Sequence, residues 1–421
     1  MSHLVSGISS AGRAVPDVEG RRFLVSRAEG PYVFDDRGRR YVDTAMGFGA
    51  TLLGHSHPAV VDAVSRAVAN GSMPAYAHAL EEEAASALAT HTGSLDQVVF
   101  LNSGSEAVHL ACRVARAATG RRVVAKLAAG YDGWFSDVAF GNAGSEAAGM
   151  RSNSRPRQGD TVLTRFNDIE DLRALLAEEP NLAAIIVEPM MANAGCLPPD
   201  PDYLANLSRL AREAGVMVIA DEVLMGFRVR QGLSGHGFGL DPDLATLGKA
   251  IGNGFAVAAL VGTREATAVF RDGRLRQAGT YNGNPVACAA VAATMGILST
   301  LDYGAFLSKG DDLRTEIEKD VARLWRPVST SGYGSVFTPW FTPTPPHTYV
   351  QASASVDPEL TLALHLALRR HGVISMPAAF GRHYLSAAHD REALDLLRDA
   401  FRHAARELSN RHDIGPVYRS K

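Results

Sequence analysis

The chain has only three cysteines among 421 residues, Cys112, Cys196 and Cys288, far apart and without the paired spacing of a metal knuckle or a disulfide framework. That usage points to a reducing compartment. No apolar run reaches membrane-spanning length, and the opening stretch MSHLVSGISSAGRAV lacks the continuous hydrophobic segment of a secretory signal. A membrane span is therefore not expected, and a cytoplasmic location is. Charge of one sign is missing as well: with a formal net charge of −3, nothing draws the chain to nucleic acid or to an anionic bilayer. Lysine is sparse beside arginine, a bias that carries no functional weight of its own. The 14 histidines are scattered without ligand spacing. Even His55 and His57, two apart before Pro58 at a helix start with no acid or cysteine nearby, read as a loop pair, so no metal is expected. With 46% hydrophobic and 21% charged residues, the chain can bury a large core, as two domains or as one large domain with a smaller appendage.

What is present is organised around Val216 to Phe255. The apolar run Val216 to Ala220 fits a strand covered on both faces by helices, and it ends on Asp221 and Glu222. A carboxylate at the carboxyl end of such a strand stands at the ligand crevice of an open α/β sheet and is costly there unless a cation meets it. Lys249 follows a second short apolar stretch and precedes Gly252-Asn253-Gly254; desolvation would make its amine available as an imine former. Each residue has a bland reading too, Asp221 as a helix or loop cap and Lys249 as a snorkelling side chain. Together they are the two groups a pyridoxal phosphate enzyme needs: a carboxylate for a pyridinium proton and an amine for an aldehyde.

Along the chain, Tyr32 to Asp43 has the signature of a hairpin around Asp36-Arg37-Gly38. Helical periodicity runs over 58–69 and 80–92. The stretch 98–108 is a strand entering Asn102-Ser103-Gly104-Ser105 and leaving as a helix, whose N-terminal N–H groups suit an anion. An ordinary serine cap with Glu106 in the first turn explains the same residues, and both readings stay open here. A strand over 121–127 leads to Gly130-Tyr131-Asp132-Gly133-Trp134-Phe135, aromatics suited either to stacking on a ring or to plugging a core. Residues 141–158 read as a loop. Strands over 160–163 and 183–187 flank a helix at 168–178, and a helix over 202–214 returns to the opening strand, the alternation of parallel βαβ units. Beyond 300, helices over 303–325, 360–370 and 391–409 surround a sheet that includes 335–341, and Thr342 to Pro346 is a rigid loop.

Asn102 to Ala107 (NSGSEA), Ala220-Asp221-Glu222-Val223, Leu247-Gly248-Lys249 and Gly279 to Pro285 (GTYNGNP) resemble, in order and spacing, the motifs of the class III aminotransferases. These are pyridoxal phosphate enzymes of fold type I. Gly54-His55-Ser56-His57-Pro58, Asn193 and Ser386-Ala387-Ala388-His389 bring the pattern nearest to glutamate-semialdehyde aminomutase, with the aminotransferases of aminoglycoside biosynthesis beside it. The resemblance implies an α/β fold with a large, mostly parallel-sheet cofactor-binding domain over 58–300. A smaller α+β domain would form from 301–421 together with the N-terminal segment 1–57. It further implies that Lys249 forms the Schiff base and shuttles the proton, that Asp221 keeps the ring nitrogen protonated, and that Val223 and Tyr131 pack the two ring faces. Asn193 would reach the ring hydroxyl, Ser103, Gly104 and Ser105 would hold the phosphate, and Thr280 would cross to the phosphate of a neighbouring subunit in a homodimer.

The same comparison separates sister activities. Where the aminomutases carry a glutamate after an Ala-Phe pair, this chain has Gly381, and Phe48 replaces a tryptophan. Loss of a gating element favours release of product, hence an ordinary transaminase between an amine donor and a carbonyl acceptor. Arg382 is a candidate clamp for a substrate carboxylate, or a surface ion pair. Phe48, Tyr131, Trp134, Phe135 and Tyr281 are candidates for the floor of a sugar-binding pocket, which makes an oxidised amino sugar the expected acceptor. An aminomutase, an epimerase acting at an amine-bearing carbon, and a degenerate binder without turnover are the alternatives. The last would show loss of Lys249 or Asp221, and both are present.

Overall fold

The strands that the apolar runs announce assemble into one sheet of eight, in the spatial order Gln97–Leu101, Ala258–Gly262, Leu244–Leu247, Met217–Asp221, Leu182–Val187, Val123–Leu127, Thr161–Thr164 and Arg157–Gln158. The computed structural model describes residues 3–18, 20–150 and 155–410. All six residues of Leu182–Val187 are buried, as expected of a strand with helices on both faces. Ala258–Gly262 runs antiparallel to both its neighbours, so Gln97–Leu101 points the same way as Leu244–Leu247 and the parallel strands beyond it. Helix Gly104–Thr119 lays Ala107, Leu110, Ala111 and Val114 against this sheet, while Met295 and Leu298 of Pro285–Leu298 join the core on the other side.

The hairpin appears at Tyr32–Asp35 and Arg40–Asp43, and it belongs to a larger sheet than the sequence suggested. Val25–Glu29 pairs with its first strand, and Val373–Ile374 pairs in parallel with its second, so the two ends of the chain share one sheet. A further sheet holds Ser329–Tyr333, Val336–Trp340 and His383–Tyr384. Val42, Leu313, Ile317, Phe337, Leu368, Leu397 and Phe401 make the core of this region.

His55 has an acid at hand after all. Its Nε2 lies 2.8 Å from Oδ2 of Asp43, which the hairpin brings in from earlier in the chain, and this pairing explains the residue without a metal. Of the loop expected over 141–158, residues 142–150 contain the short turn Glu146–Gly149 and 157–158 an edge strand; 151–154 lie outside the described residues. No single helix among the described residues is long and apolar enough to cross a membrane.

Arg228, just past the Met217–Asp221 strand, is completely buried without a carboxylate. Its guanidinium donates instead to the carbonyls of Gly49, Ser335 (3.4 Å) and Leu385 (3.3 Å), which come from three separate stretches of chain.

Candidate active site

Five parallel strands end on one side of the sheet, and each delivers part of the site. Gln97–Leu101 runs into Asn102, Ser103, Gly104 and Ser105. Val123–Leu127 leads to Tyr131 and Asp132, Leu182–Val187 to Glu188 and Asn193, and Leu244–Leu247 to Lys249; Met217–Asp221 ends on Asp221, two residues before Val223. All of these line one cavity of about 380 Å³, which Ala50, Trp134, Leu224 and residues Gly254 to Val257 complete.

Lys249 has a φ of 45°, in the left-handed region that a lysine enters at a cost of about 1–3 kcal/mol. Buried Ala250 and Ile251 hold the turn that carries it. Burial lowers the pKa of its amine; Asp221 pulls the other way, and Arg382 adds to the lowering. A larger share of neutral amine near neutral pH is the result.

Asp221 is buried, and its Oδ1 accepts the Val223 N–H at 3.0 Å and the Thr246 hydroxyl at 3.1 Å. Burial pushes its pKa up, as does the charge of Asp132. Glu188 is pushed up in the same way, by burial first and then by Asp132 and Asp221; its Oε1 accepts the Tyr131 N–H at 2.9 Å. A wall of acids this crowded is poised to receive a cation, and a protonated pyridine nitrogen supplies one.

The anion end of the site is equally specific. Ser103 caps helix Gly104–Thr119: its Oγ accepts the Glu106 N–H at 3.3 Å, while Glu106 Oε2 accepts the Asn102 N–H at 2.9 Å and the Ser103 hydroxyl at 3.2 Å. The cap reading is therefore correct for the Ser103 side chain. That leaves the first-turn N–H groups and the Ser105 hydroxyl, both on the cavity wall, available to an anion. A Cβ on Gly104 would come within 2.8 Å of Val223 Cγ1, and one on Gly133 within 2.9 Å of Ser105 Oγ. Backbone at both places approaches as closely as glycine permits. The residues present thus fit pyridoxal phosphate, with an acid wall for the ring nitrogen, an amine for the aldehyde and a helix N-terminus for the phosphate.

Five expected site residues do not line this cavity. Thr280 and Tyr281 are exposed, on a loop tethered by the 2.9 Å bond from Asn102 Nδ2 to Asn282 Oδ1. Phe48 is half-buried beside Met46 and Leu224, and Phe135, another member of the expected aromatic floor, packs on His109. Arg382 is not a surface ion pair: it is buried, and its Nη1 donates to the Ala192 carbonyl at 3.2 Å and to Asn193 Oδ1 at 2.8 Å. Because arginine only donates, it fixes the Asn193 amide with its NH₂ left over for an acceptor. Conversely, Asp132, Glu188 and Phe255 line the cavity without having been singled out. For Glu188 the signal was there: an acid directly after a wholly apolar strand, as with Asp221.

The class III aminotransferase family model matches residues 15–327. Among solved structures, an omega-transaminase from Sphaerobacter thermophilus is 28% identical with a TM-score of 0.87, over 96% of this chain and 94% of that one. A beta-phenylalanine aminotransferase from Variovorax paradoxus is 28% identical with a TM-score of 0.83, over 95% and 90%. A glutamate-1-semialdehyde aminomutase from Pseudomonas aeruginosa PAO1 is also 28% identical, with a TM-score of 0.80 over 92% and 88%.

Proposed function

The chain belongs to the class III aminotransferases, pyridoxal phosphate enzymes of fold type I that act on small-molecule amines and carbonyl compounds, and we propose that its carbonyl acceptor is borne on a sugar-like ring, as in an oxidised amino sugar. The observation that carries this reading is the character of the cavity wall. Tyr131, Trp134 and Phe255 line it and are exposed, and no arginine stands among the described lining residues to receive an α-carboxylate. Aromatic faces bind the apolar face of a sugar ring.

Bound pyridoxal phosphate supplies an aldehyde that captures the amine and a ring that accepts electron density from the amine-bearing carbon. Asp221 holds the proton on the ring nitrogen. Lys249 would hold the aldehyde and would carry the proton to and from that carbon, a task for which its lowered pKa suits it. Asn193, fixed by Arg382, would donate to the ring hydroxyl, and Val223 and Tyr131 would pack on the ring. Thr280 and Tyr281, exposed here, reach the cavity of a second copy, so that the working unit is a homodimer.

A second reading has an observation of its own. Arg382 Nε is buried without a hydrogen-bond partner, which favours an amino acid substrate if that guanidinium turns toward the cavity. Purified enzyme mixed with an amino sugar, a β-amino acid or glutamate semialdehyde, followed by the visible absorbance of the cofactor, separates the readings. Bleaching by the amino sugar is expected, and its rate should fall by roughly a thousandfold or more in Lys249→Ala. No response to amino sugars with rapid turnover of glutamate semialdehyde would establish the aminomutase instead; saturation by the β-amino acid alone would favour the second reading.

A further inference from the structure

Lys126 lies completely buried on the strand that leads to Tyr131, and none of the roles above accounts for it. Its Nζ donates to the Gly130 carbonyl at 2.9 Å, the Val138 carbonyl at 2.7 Å and Asn142 Oδ1 at 2.8 Å. All three protons of the ammonium are thereby used. Oδ2 of Asp132, equally buried, lies 3.2 Å away as an ion pair and has no hydrogen-bond partner of its own. One cation thus gathers the segment from Gly130 to Asn142 and faces an acid of the cavity wall.

That acid is one of three. Asp132, Glu188 and Asp221 share the wall, and the charge of Asp132 is felt at both of the others. Left unpaired, Asp132 would compete with Asp221 for the positive charge of the ring. We propose that Lys126 is a positioning residue for the cofactor: paired with Asp132 as a neutral unit, it reserves Asp221 for the ring nitrogen and anchors the turn that carries Tyr131. The proposal rests on the assignment of pyridoxal phosphate to this cavity. Other charged groups around the pair are Glu188 and Asp221 at their strand ends, Lys249 in the cavity wall, Arg382 bonded to Asn193 of that wall, and the Arg116–Asp137 ion pair (3.1 Å) on the helix side. Cys112 of that helix, pushed up to about 12 by burial, stays neutral.

The test is a double-mutant cycle on the holoenzyme, with the absorbance of the bound cofactor titrated against pH. Lys126→Met leaves an uncompensated anion, which favours the protonated chromophore, so its midpoint moves up. Asp132→Asn leaves an uncompensated cation, and the midpoint moves down, each by about one pH unit. The double variant returns close to wild type. A lysine that merely held carbonyls would show no such opposition: shifts in the same direction, or a double variant no nearer wild type than Lys126→Met, overturn the proposal. Should Lys126→Met fail to fold, Asp132→Asn keeps all three hydrogen-bond acceptors of the lysine and still decides, a downward shift supporting the pair and no shift sinking it. Wild-type protein without a visible cofactor band would instead sink the cofactor assignment.

Discussion

Glu222 is next to Asp221 in sequence and has a different fate. It is buried, with Oε1 accepting the Gly235 N–H at 2.6 Å and Oε2 without a partner, and burial drives its pKa from 4.5 up to about 7. A carboxyl whose folded pKa lies above its unfolded value contributes stability that is complete below the unfolded value and disappears as pH climbs through the folded one. Here that window is pH 4.5 to 7. Glu222→Gln should therefore melt later than wild type at pH 8, by up to roughly 3 kcal/mol, and gain nothing at pH 4. Equal differences at the two pH values, in melts of the apo-protein, would contradict this. For Asp221→Asn the expectation concerns the cofactor: without a fixed negative charge the ring nitrogen loses its proton, and retention through dialysis should weaken roughly tenfold or more. Asp221 and Lys249 were legible as a pair because each breaks an apolar or small-residue context with a charge. Lys126 breaks a strand in the same way, but its partners, the carbonyls of Gly130 and Val138 and the Asn142 side chain, come together only when the segment after the strand folds back.

At the level of elements, buried strands and amphipathic helices were readable because one period or one apolar run decides them. Met217–Asp221, Leu182–Val187 and Arg391–Ser409 fall within a residue or so of where the pattern puts them. Val25–Glu29 was not readable: four of its five residues are exposed, so it carries no alternation and exists because the hairpin offers an edge to pair with. The turn from Gln97–Leu101 into helix Gly104–Thr119 was legible as a helix start suited to an anion or to a serine cap, although the choice of Ser103 as the cap was not, since it is a matter of ångströms. Gly104→Ala tests that turn. The added methyl meets Val223 at 2.8 Å and must push the turn apart from that residue, two beyond Asp221. We expect a cost of about 1–3 kcal/mol, seen mainly as weaker cofactor binding, with the apo-protein melting little changed. Unaltered cofactor affinity would show that Val223 yields freely and that the close approach is incidental.

Across the whole molecule, sequence reasoning placed the parallel sheet and its ligand edge, because strand order and crevice follow from βαβ alternation. It did not show that residues 25–43 and 373–374 would lie in one sheet, since nothing local marks a pairing between segments more than three hundred residues apart. The same remoteness governs Arg228, whose carbonyl partners stand 107, 157 and 179 residues away in the chain. Arg228 reaches Gly49 with Nη2 and Ser335 and Leu385 with Nη1, a spread that the single, shorter-reaching amine of Arg228→Lys cannot span, and a loss of roughly 2–4 kcal/mol follows. Hydrogen–deuterium exchange distinguishes this from ordinary weakening. Amides near Gly49, Ser335 and Leu385 should speed up together in the variant, while those of Leu182–Val187 keep their protection.

Arg228 follows the strand end that supplies Asp221, and one of the carbonyls it grips, that of Gly49, directly precedes Ala50 of the cavity wall. A knot tied at the floor of a catalytic crevice makes the flaps around it inherit the rigidity of the floor. Evolution can then redraw the outer loops for new substrates without loosening the chemistry beneath them, provided the knot stays tied.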